Sequence, residues 1–327
     1  MHIFSYIFRS VLIFIAVSTA FVSCVSEDMS DCQPKNLNMK LVYTLALDEH
    51  SMFSPEREAA LQSIHNGFWT TPDSLFEENY YVQSQLPVGL IFDYSLPRRN
   101  YLHLATANCF FNDAASEPNF SDDIHRYSIV PRTIAPDTIE AFLRPMYFGL
   151  YDIPADSCTC KEVEYVVPLS PLVSRMIISL IYPETFTNVR ATIIGTKAGF
   201  VPYDTTYISN DQLVTAVDSS LFVPNADTIS TASFFTFPTS VAEVNASSSA
   251  AMFNIARQEV KCAVWYISFF ANKDEKVVMN RFTLYDEVFA GDVFERTFRL
   301  VTDTTQVESG VEVDLDWKCG DNFDEII

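Results

Sequence analysis

Six cysteines are the first residues in this sequence whose type and spacing could do chemistry. A structural zinc site usually takes a Cys-x-x-Cys pair together with a second pair or with histidines. The Cys158-Thr159-Cys160 spacing is shorter and has no histidine nearby, so we predict no metal site. An even number of cysteines in an exported chain favours disulfides, and the sequence leaves the pairing open. The candidate disulfide cysteines are Cys32, Cys109, Cys158, Cys160, Cys262 and Cys319.

The other residues that carry chemistry form no catalytic constellation. His50, His65, His103 and His125 stand singly, without the paired spacing of a metal or acid–base motif. With only 8 glycines, the chain has neither a Gly-rich phosphate loop nor a Gly-x-Ser-x-Gly turn around a nucleophile. The acidic run 314–325 resembles a calcium loop, but a lysine stands where an oxygen ligand is needed. We therefore expect no enzyme activity, no metal and no cofactor.

A seventh cysteine, Cys24, has a different predicted chemistry. It follows a single cation, Arg9, and an apolar stretch over 11–22, which is too short to span a bilayer but suits the core of a signal peptide. The segment Phe21-Val22-Ser23-Cys24 is typical of a bacterial lipobox, whose cysteine receives acyl chains such as palmitate and becomes the first residue. Residues 1–23 are then the signal peptide and Cys24 the lipid anchor. The alternatives are an ordinary signal peptide followed by a disulfide cysteine, or a retained membrane anchor.

Charge limits the partners of the mature chain. Residues 24–36, an expected tether, carry three acids soon after the lipid cysteine, and the whole chain has a formal net charge of −21. The acidic spacer after a lipobox favours display on the outer face of the outer membrane. A surface so acidic repels nucleic acid and anionic headgroups, so we predict that the membrane contact is made through the lipid alone.

Hydrophobic alternation predicts an all-β body. The segment 37–47 places its apolar residues on one face. Short apolar runs recur about every ten residues from Tyr80 to Trp317, among them 101–104, 147–150, 176–182 and 277–284. Many short strands separated by turn signals are typical of β-sandwiches. One short helix is expected at 55–68, because Ser54-Pro55-Glu56 is a helix-start pattern and apolar residues follow at helical spacing. We expect an N-terminal sandwich over 37–163 and a C-terminal sandwich over 164–327.

Several short motifs together resemble the Bacteroidales fimbrial anchor lipoproteins of the FimB type. The resemblance begins with the lipid cysteine, the acidic spacer and the second cysteine of Cys24–Cys32, and with a first strand that ends in tyrosine at Tyr43. Leu96–Tyr101 is similar to that family's turn into a strand, with Asn100 near the position usually held by glycine. Pro168–Leu180 resembles the entry to the second domain, and Val311–Trp317 the final strand.

The resemblance implies two tandem transthyretin-like β-sandwiches that anchor or terminate a fimbria. The partners would be fimbrial subunits, one of which contributes a strand to an open groove. Two alternatives remain: a fimbrial shaft or tip pilin matured by proteolysis beyond the lipid, and a surface lipoprotein that binds glycans. Trp69, Trp265 and Trp317 are the residues that could form a sugar platform, although strand patterns favour core positions for the last two.

Overall fold

The computed structural model describes residues 36–45, 61–109, 120–155, 163–210, 212–226, 229–239, 265–273 and 276–301. Nearly all regular structure in these ranges is β-strand. In the first part of the chain the strands are β1 (Asn36–Leu45), β2 (Ser63–Thr71), β3 (Ser74–Val82), β4 (Ile91–Pro97), β5 (Tyr101–Ala107), β6 (Thr133–Ala135), β7 (Thr138–Glu140), β8 (Tyr147–Ile153) and β9 (Val163–Pro171).

The strands of the second part follow in chain order. They are β10 (Ser174–Ile181), β11 (Thr187–Ile194), β12 (Gly199–Val201), β13 (Thr206–Ile208), β14 (Val214–Val217), β15 (Val223–Ala226), β16 (Ile229–Thr236), β17 (Trp265–Lys273), β18 (Lys276–Leu284) and β19 (Val293–Arg299). The helices in the described ranges are single 3₁₀ turns at Gln83–Gln85, Val88–Leu90, Ile124–Arg126 and Ser219–Leu221. The expected all-β class is confirmed.

The helix predicted for 55–68 is wrong over the part that the structure describes, since Ser63–Thr71 is strand β2. The spacing that suggested a helix is ambiguous, because residues four apart share a face in both a helix and a strand. Ile64 and Phe68 are such a pair, and both are fully buried. Residues 46–60 lie outside the described ranges.

A seven-stranded sheet with the order β3-β2-β5-β8-β9-β1-β4 forms the first layered unit. β1 is parallel to β9 and antiparallel to β4, whereas β9 meets β8 only at its far end, through Pro171 and Ser170. The sheet therefore turns back on itself at β9. The Phe68 ring of β2 lies 4.8 Å from the Tyr94 ring of β4, and Met39, Leu41 and Val167 are fully buried in the core between the two layers.

A four-stranded sheet and a six-stranded sheet form the second unit. Their orders are β15-β16-β10-β19 and β18-β17-β11-β14-β7-β6. Side chains meet between the layers, with ring centroids 5.1 Å apart for both Trp265–Phe294 and Phe269–Phe298. This arrangement agrees with the expected β-sandwich packing.

One strand pairing and one buried cluster join segments from either side of the predicted boundary. β7 precedes the predicted boundary at residues 163 and 164, yet it pairs in parallel with β14 of the six-stranded sheet. A third buried cluster combines Phe148 of β8 with Phe200 of β12, whose ring centroids are 4.6 Å apart. The division of the chain into two domains at that boundary stays a prediction.

Candidate functional site

The predicted cysteine chemistry falls almost entirely outside the described ranges. Cys24 and five of the candidate disulfide cysteines, Cys32, Cys158, Cys160, Cys262 and Cys319, lie there. Cys109 carries a free thiol, which donates to the carbonyls of Ala107 (3.3 Å) and Tyr147 (3.4 Å). Burial raises its pKa to about 12, so it is protonated and inert at neutral pH. Lipidation and the disulfide pairing remain predictions.

The described residues contain no candidate metal site and no candidate membrane-spanning helix. Among the residues that it describes, no three His, Cys, Asp or Glu side chains come together as metal ligands. No helix within the described ranges is long and apolar enough to cross a bilayer.

Two of the four histidines that follow the predicted signal peptide are buried inside the first unit. His103 is fully buried, and its Nδ1–H donates to the Gly67 carbonyl at 3.0 Å. Because a carbonyl only accepts, Nε2 must accept from the Tyr43 hydroxyl, 2.9 Å away. Burial lowers the pKa of His103 to about 4, so this imidazole is neutral and serves as a core hydrogen-bonding group.

His65 forms a second buried polar group with Glu78. Its Nε2 lies 2.6 Å from Glu78 Oε1, which also accepts from the Phe120 backbone at 2.9 Å. The imidazole stacks on the Phe120 ring at 3.7 Å. Burial lowers the pKa of His65 to about 4 and raises that of Glu78, so the contact is a hydrogen bond from a neutral imidazole and not an ion pair. Glu78 thereby links His65 of β2 to the backbone of Phe120 through hydrogen bonds from β3.

The tryptophan platform is not formed by the two tryptophans in the described ranges. Trp69 and Trp265 are fully buried. Their Nε1–H groups donate inward to backbone carbonyls, at 3.0 Å to Asp122 and 2.9 Å to Asp286. The core role expected for Trp265 is confirmed, and Trp317 lies outside the described ranges.

A seam runs between the two end strands of the seven-stranded sheet, β3 and β4. These strands are the ends of the sheet and are not hydrogen-bonded to each other. Their side chains meet across the gap, with the Tyr81 ring 4.8 Å from the Phe92 ring and the Tyr81 and Tyr94 hydroxyls 3.5 Å apart. Asn66 donates to the Tyr94 hydroxyl at 2.8 Å. Within the described ranges, both strands thus keep an unpaired backbone edge over an apolar core.

A separate cleft of about 1150 Å³ lies between the end of β3, strand β6 and the loop at 141–146. Two arginines, Arg132 and Arg144, line it together with one acid, Glu140. Three side chains at its walls are exposed apolar ones: Val82 at 40 %, Ile134 at 52 % and Leu143 at 67 %. Sequence reasoning missed this cleft, because its walls come from distant segments that are joined only by the fold. The sole local signal was the pairing of exposed apolar residues with arginines in an acidic chain.

Comparisons with known proteins give structural neighbours only. No protein-family model matches the chain, and neither does any curated protein. A candidate polysaccharide-binding protein from Bacteroides thetaiotaomicron has a TM-score of 0.53 and 11% identity, over 82% of this chain and 93% of that one. A candidate adhesin from Bacteroides ovatus has a TM-score of 0.52 and 10% identity, over 79% and 85%.

A weaker similarity extends to the fimbrial anchor protein Mfa2 from Porphyromonas gingivalis. Its TM-score is 0.44 and its identity 10%, over 78% of this chain and 99% of that one. None of these three proteins is named as an enzyme. The family that the sequence resembles, the Bacteroidales fimbrial anchor lipoproteins, is represented among these neighbours by Mfa2. The two matches above a TM-score of 0.5 show that this chain shares the fold of the Bacteroides proteins.

Proposed function

We propose that this chain is a lipid-anchored surface protein that anchors or terminates a fimbria and accepts a strand from the adjacent fimbrial subunit. The observation that carries the proposal is the seam between β3 and β4. Edge strands present unpaired backbone groups that template a further strand. Main-chain hydrogen bonds would provide affinity for an incoming strand, and alternate side chains would provide specificity.

The side chains of β4 suit this role. Phe92, Tyr94 and Leu96 point into the core, while Ile91, Asp93 and Ser95 are exposed. An incoming strand would continue this alternation, with one side chain in two facing Tyr81 and Phe92. Insertion of a strand would separate the Tyr81 and Phe92 rings, whose centroids lie 4.8 Å apart. An aromatic contact of this kind contributes about 1 kcal/mol beyond its buried area.

The anchoring half of the proposal rests on the N-terminal sequence. Cys24 ends a lipobox, and only 11 residues separate it from the start of β1 at Asn36. The acyl chains would hold the body close to the outer membrane, since each buried methylene stabilises attachment by about 0.8 kcal/mol. A strand-rich body on so short a tether is suited to holding another protein at the cell surface.

Deletion of the gene, followed by electron microscopy, tests the function as a whole. We expect shed, unanchored or abnormally long fibres, and rescue by the wild-type gene but not by Cys24→Ala. Fimbriae that look unchanged after deletion would contradict the proposal. N-terminal sequencing of surface-extracted protein separates the anchor from a proteolytically matured pilin, because only the pilin begins well after Cys24.

The seam itself is tested with two matched substitutions. Ile91 is 41 % exposed on the free edge strand β4, and Val166 is 50 % exposed on β9, which does not belong to the seam between β3 and β4. Ile91→Lys should reduce copurification of fimbrial subunits with the tagged protein, because a lysine on an edge strand disfavours strand addition. Val166→Lys should leave copurification unchanged. Equal effects of the two variants would remove the seam from the proposal.

A further inference from the structure

The cleft between β3 and β6 has a fixed framework. Asn108 accepts hydrogen bonds from the Gln62 backbone at 2.8 Å and donates to the Pro145 carbonyl at 2.9 Å. Its backbone lies in the left-handed region, with φ +57°, a conformation that asparagine tolerates better than most residues. The Asn108 side chain thereby fastens the start of β2 to the loop at 141–146, so the two walls are held at a set distance.

The charge of the cleft is opposite to that of the chain. Its charged residues are Arg132, Arg144 and Glu140, whereas the whole sequence carries a formal net charge of −21. Arg144 is exposed. Within the described residues, its guanidinium has no hydrogen-bond or ion-pair partner, in a chain with 42 acidic residues. A guanidinium presents planar paired donors that match a carboxylate.

Neutral polar groups surround the arginines. The side-chain amides of Gln62 and Gln83 line the cleft and are without partners among the residues that the structure describes. Each amide provides both a donor and an acceptor, the combination needed for the hydroxyl groups of a sugar. The Tyr80 ring also lines the cleft, and its position is fixed by an edge-to-face contact with His65 at 5.8 Å.

We propose that this cleft binds a carboxylate-bearing saccharide. Arg144 and Arg132 hold the carboxylate, and the Gln62 and Gln83 amides bind ring hydroxyls. An acidic peptide is the competing ligand and fits less well. Strand β6 has only three residues, too few to template an added strand, and β3 contributes only Tyr80 and Val82 to the lining.

The proposal goes beyond the fimbrial function and uses a different part of the molecule. Apart from Tyr80 and Val82 of β3, no residue of the seam strands lines the cleft. Failure of saccharide binding would therefore leave strand acceptance intact, and the reverse also holds.

Isothermal titration of the mature chain in calcium-free buffer tests the proposal. The acidic probes are trigalacturonate and 3′-sialyllactose, and the neutral controls are the methyl ester of trigalacturonate and lactose. We expect an acidic probe to bind and its neutral control to bind at least about tenfold more weakly, as loss of a charged hydrogen bond implies. Absence of binding by both acidic probes would overturn the proposal.

Arginine variants locate the binding. Arg144→Gln should weaken the acidic probe by about tenfold or more. Arg299→Gln is the matched control, because Arg299 is also exposed but lies on β19 and not in the cleft. Both variants change the net charge equally, and circular dichroism checks that each is folded. Equal affinities for the two variants would overturn the assignment, as would tighter binding of an alternating Val-Glu hexapeptide than of either saccharide.

Discussion

At the scale of single residues, two buried imidazoles make the first unit sensitive to acid. His65 and His103 have a folded-state pKa of about 4 because burial disfavours their charged form. The unfolded chain binds protons at the ordinary histidine pKa of about 6.5. Between these values the unfolded state holds more protons than the folded state, so stability falls as pH falls.

We expect the free energy of unfolding to drop by about 2 kcal/mol per histidine between pH 7 and pH 5. Glu78 acts in the opposite direction, because its raised folded-state pKa favours the folded chain once that carboxyl is protonated. Urea unfolding followed by tryptophan fluorescence measures the net effect. NMR titration of each imidazole separates the histidine effect from that of Glu78. Titration of both imidazoles near the ordinary histidine pKa of about 6.5 would contradict the prediction.

Residue chemistry was predictable where it is local in sequence. The isolated spacing of the histidines did not reveal that His65 and His103 would be buried hydrogen-bonding groups. Their partners Tyr43, Gly67 and Glu78 come from other strands. The cleft arginines were not found for the same reason, since only the fold places Arg144 near Gln62.

At the scale of elements, alternation located most strands because its period of two is visible in sequence. The predicted runs at 101–104, 147–150, 176–182 and 277–284 fall on β5, β8, β10 and β18, with β10 ending one residue earlier than its run. β2 was missed because both of its faces are buried, which removes the alternation. Strand order was also beyond reach, since β1 lies between β4 and β9 through pairings that no local pattern encodes.

Gly149 of β8 provides a test of how the first sheet turns back at β9. A Cβ atom placed on Gly149 would lie 2.7 Å from the Pro168 carbonyl oxygen and 3.0 Å from Leu169 Cδ2. Because a backbone atom blocks the space, Gly149→Ala should destabilise the fold by about 1–3 kcal/mol. Urea denaturation of the purified variant measures the loss. A stability equal to wild type would mean that β9 can move away from β8 without cost.

At the scale of the whole molecule, the third buried cluster joins the two units. Phe142 and Phe237 of this cluster have ring centroids 5.3 Å apart, and the Phe142 backbone is bridged to Phe235 of β16. Phe148 and Phe200 meet in the same way. Because burial of these rings requires both units to be folded, the two should unfold together.

Phe200→Ala tests this coupling. The Phe200 side chain is fully buried, so its truncation should cost about 3–5 kcal/mol and separate one calorimetric transition into two. Phe234→Ala is the control, because Phe234 is equally buried but belongs to the core of the second unit alone. Phe234→Ala should lower the temperature of the calorimetric transition without splitting it. A single transition in the Phe200 variant would show that the units are coupled elsewhere.

The parallel pairing of β1 with β9 limits the order in which the chain can fold. β1 begins at Asn36, and its partner β9 ends at Pro171. A chain emerging N-terminus first therefore exposes an apolar strand with one side unpaired until more than 120 residues have followed. Contacts of such long range form slowly and leave edges open to aggregation. The sheet of the first unit can therefore be completed only after β9 has been synthesised.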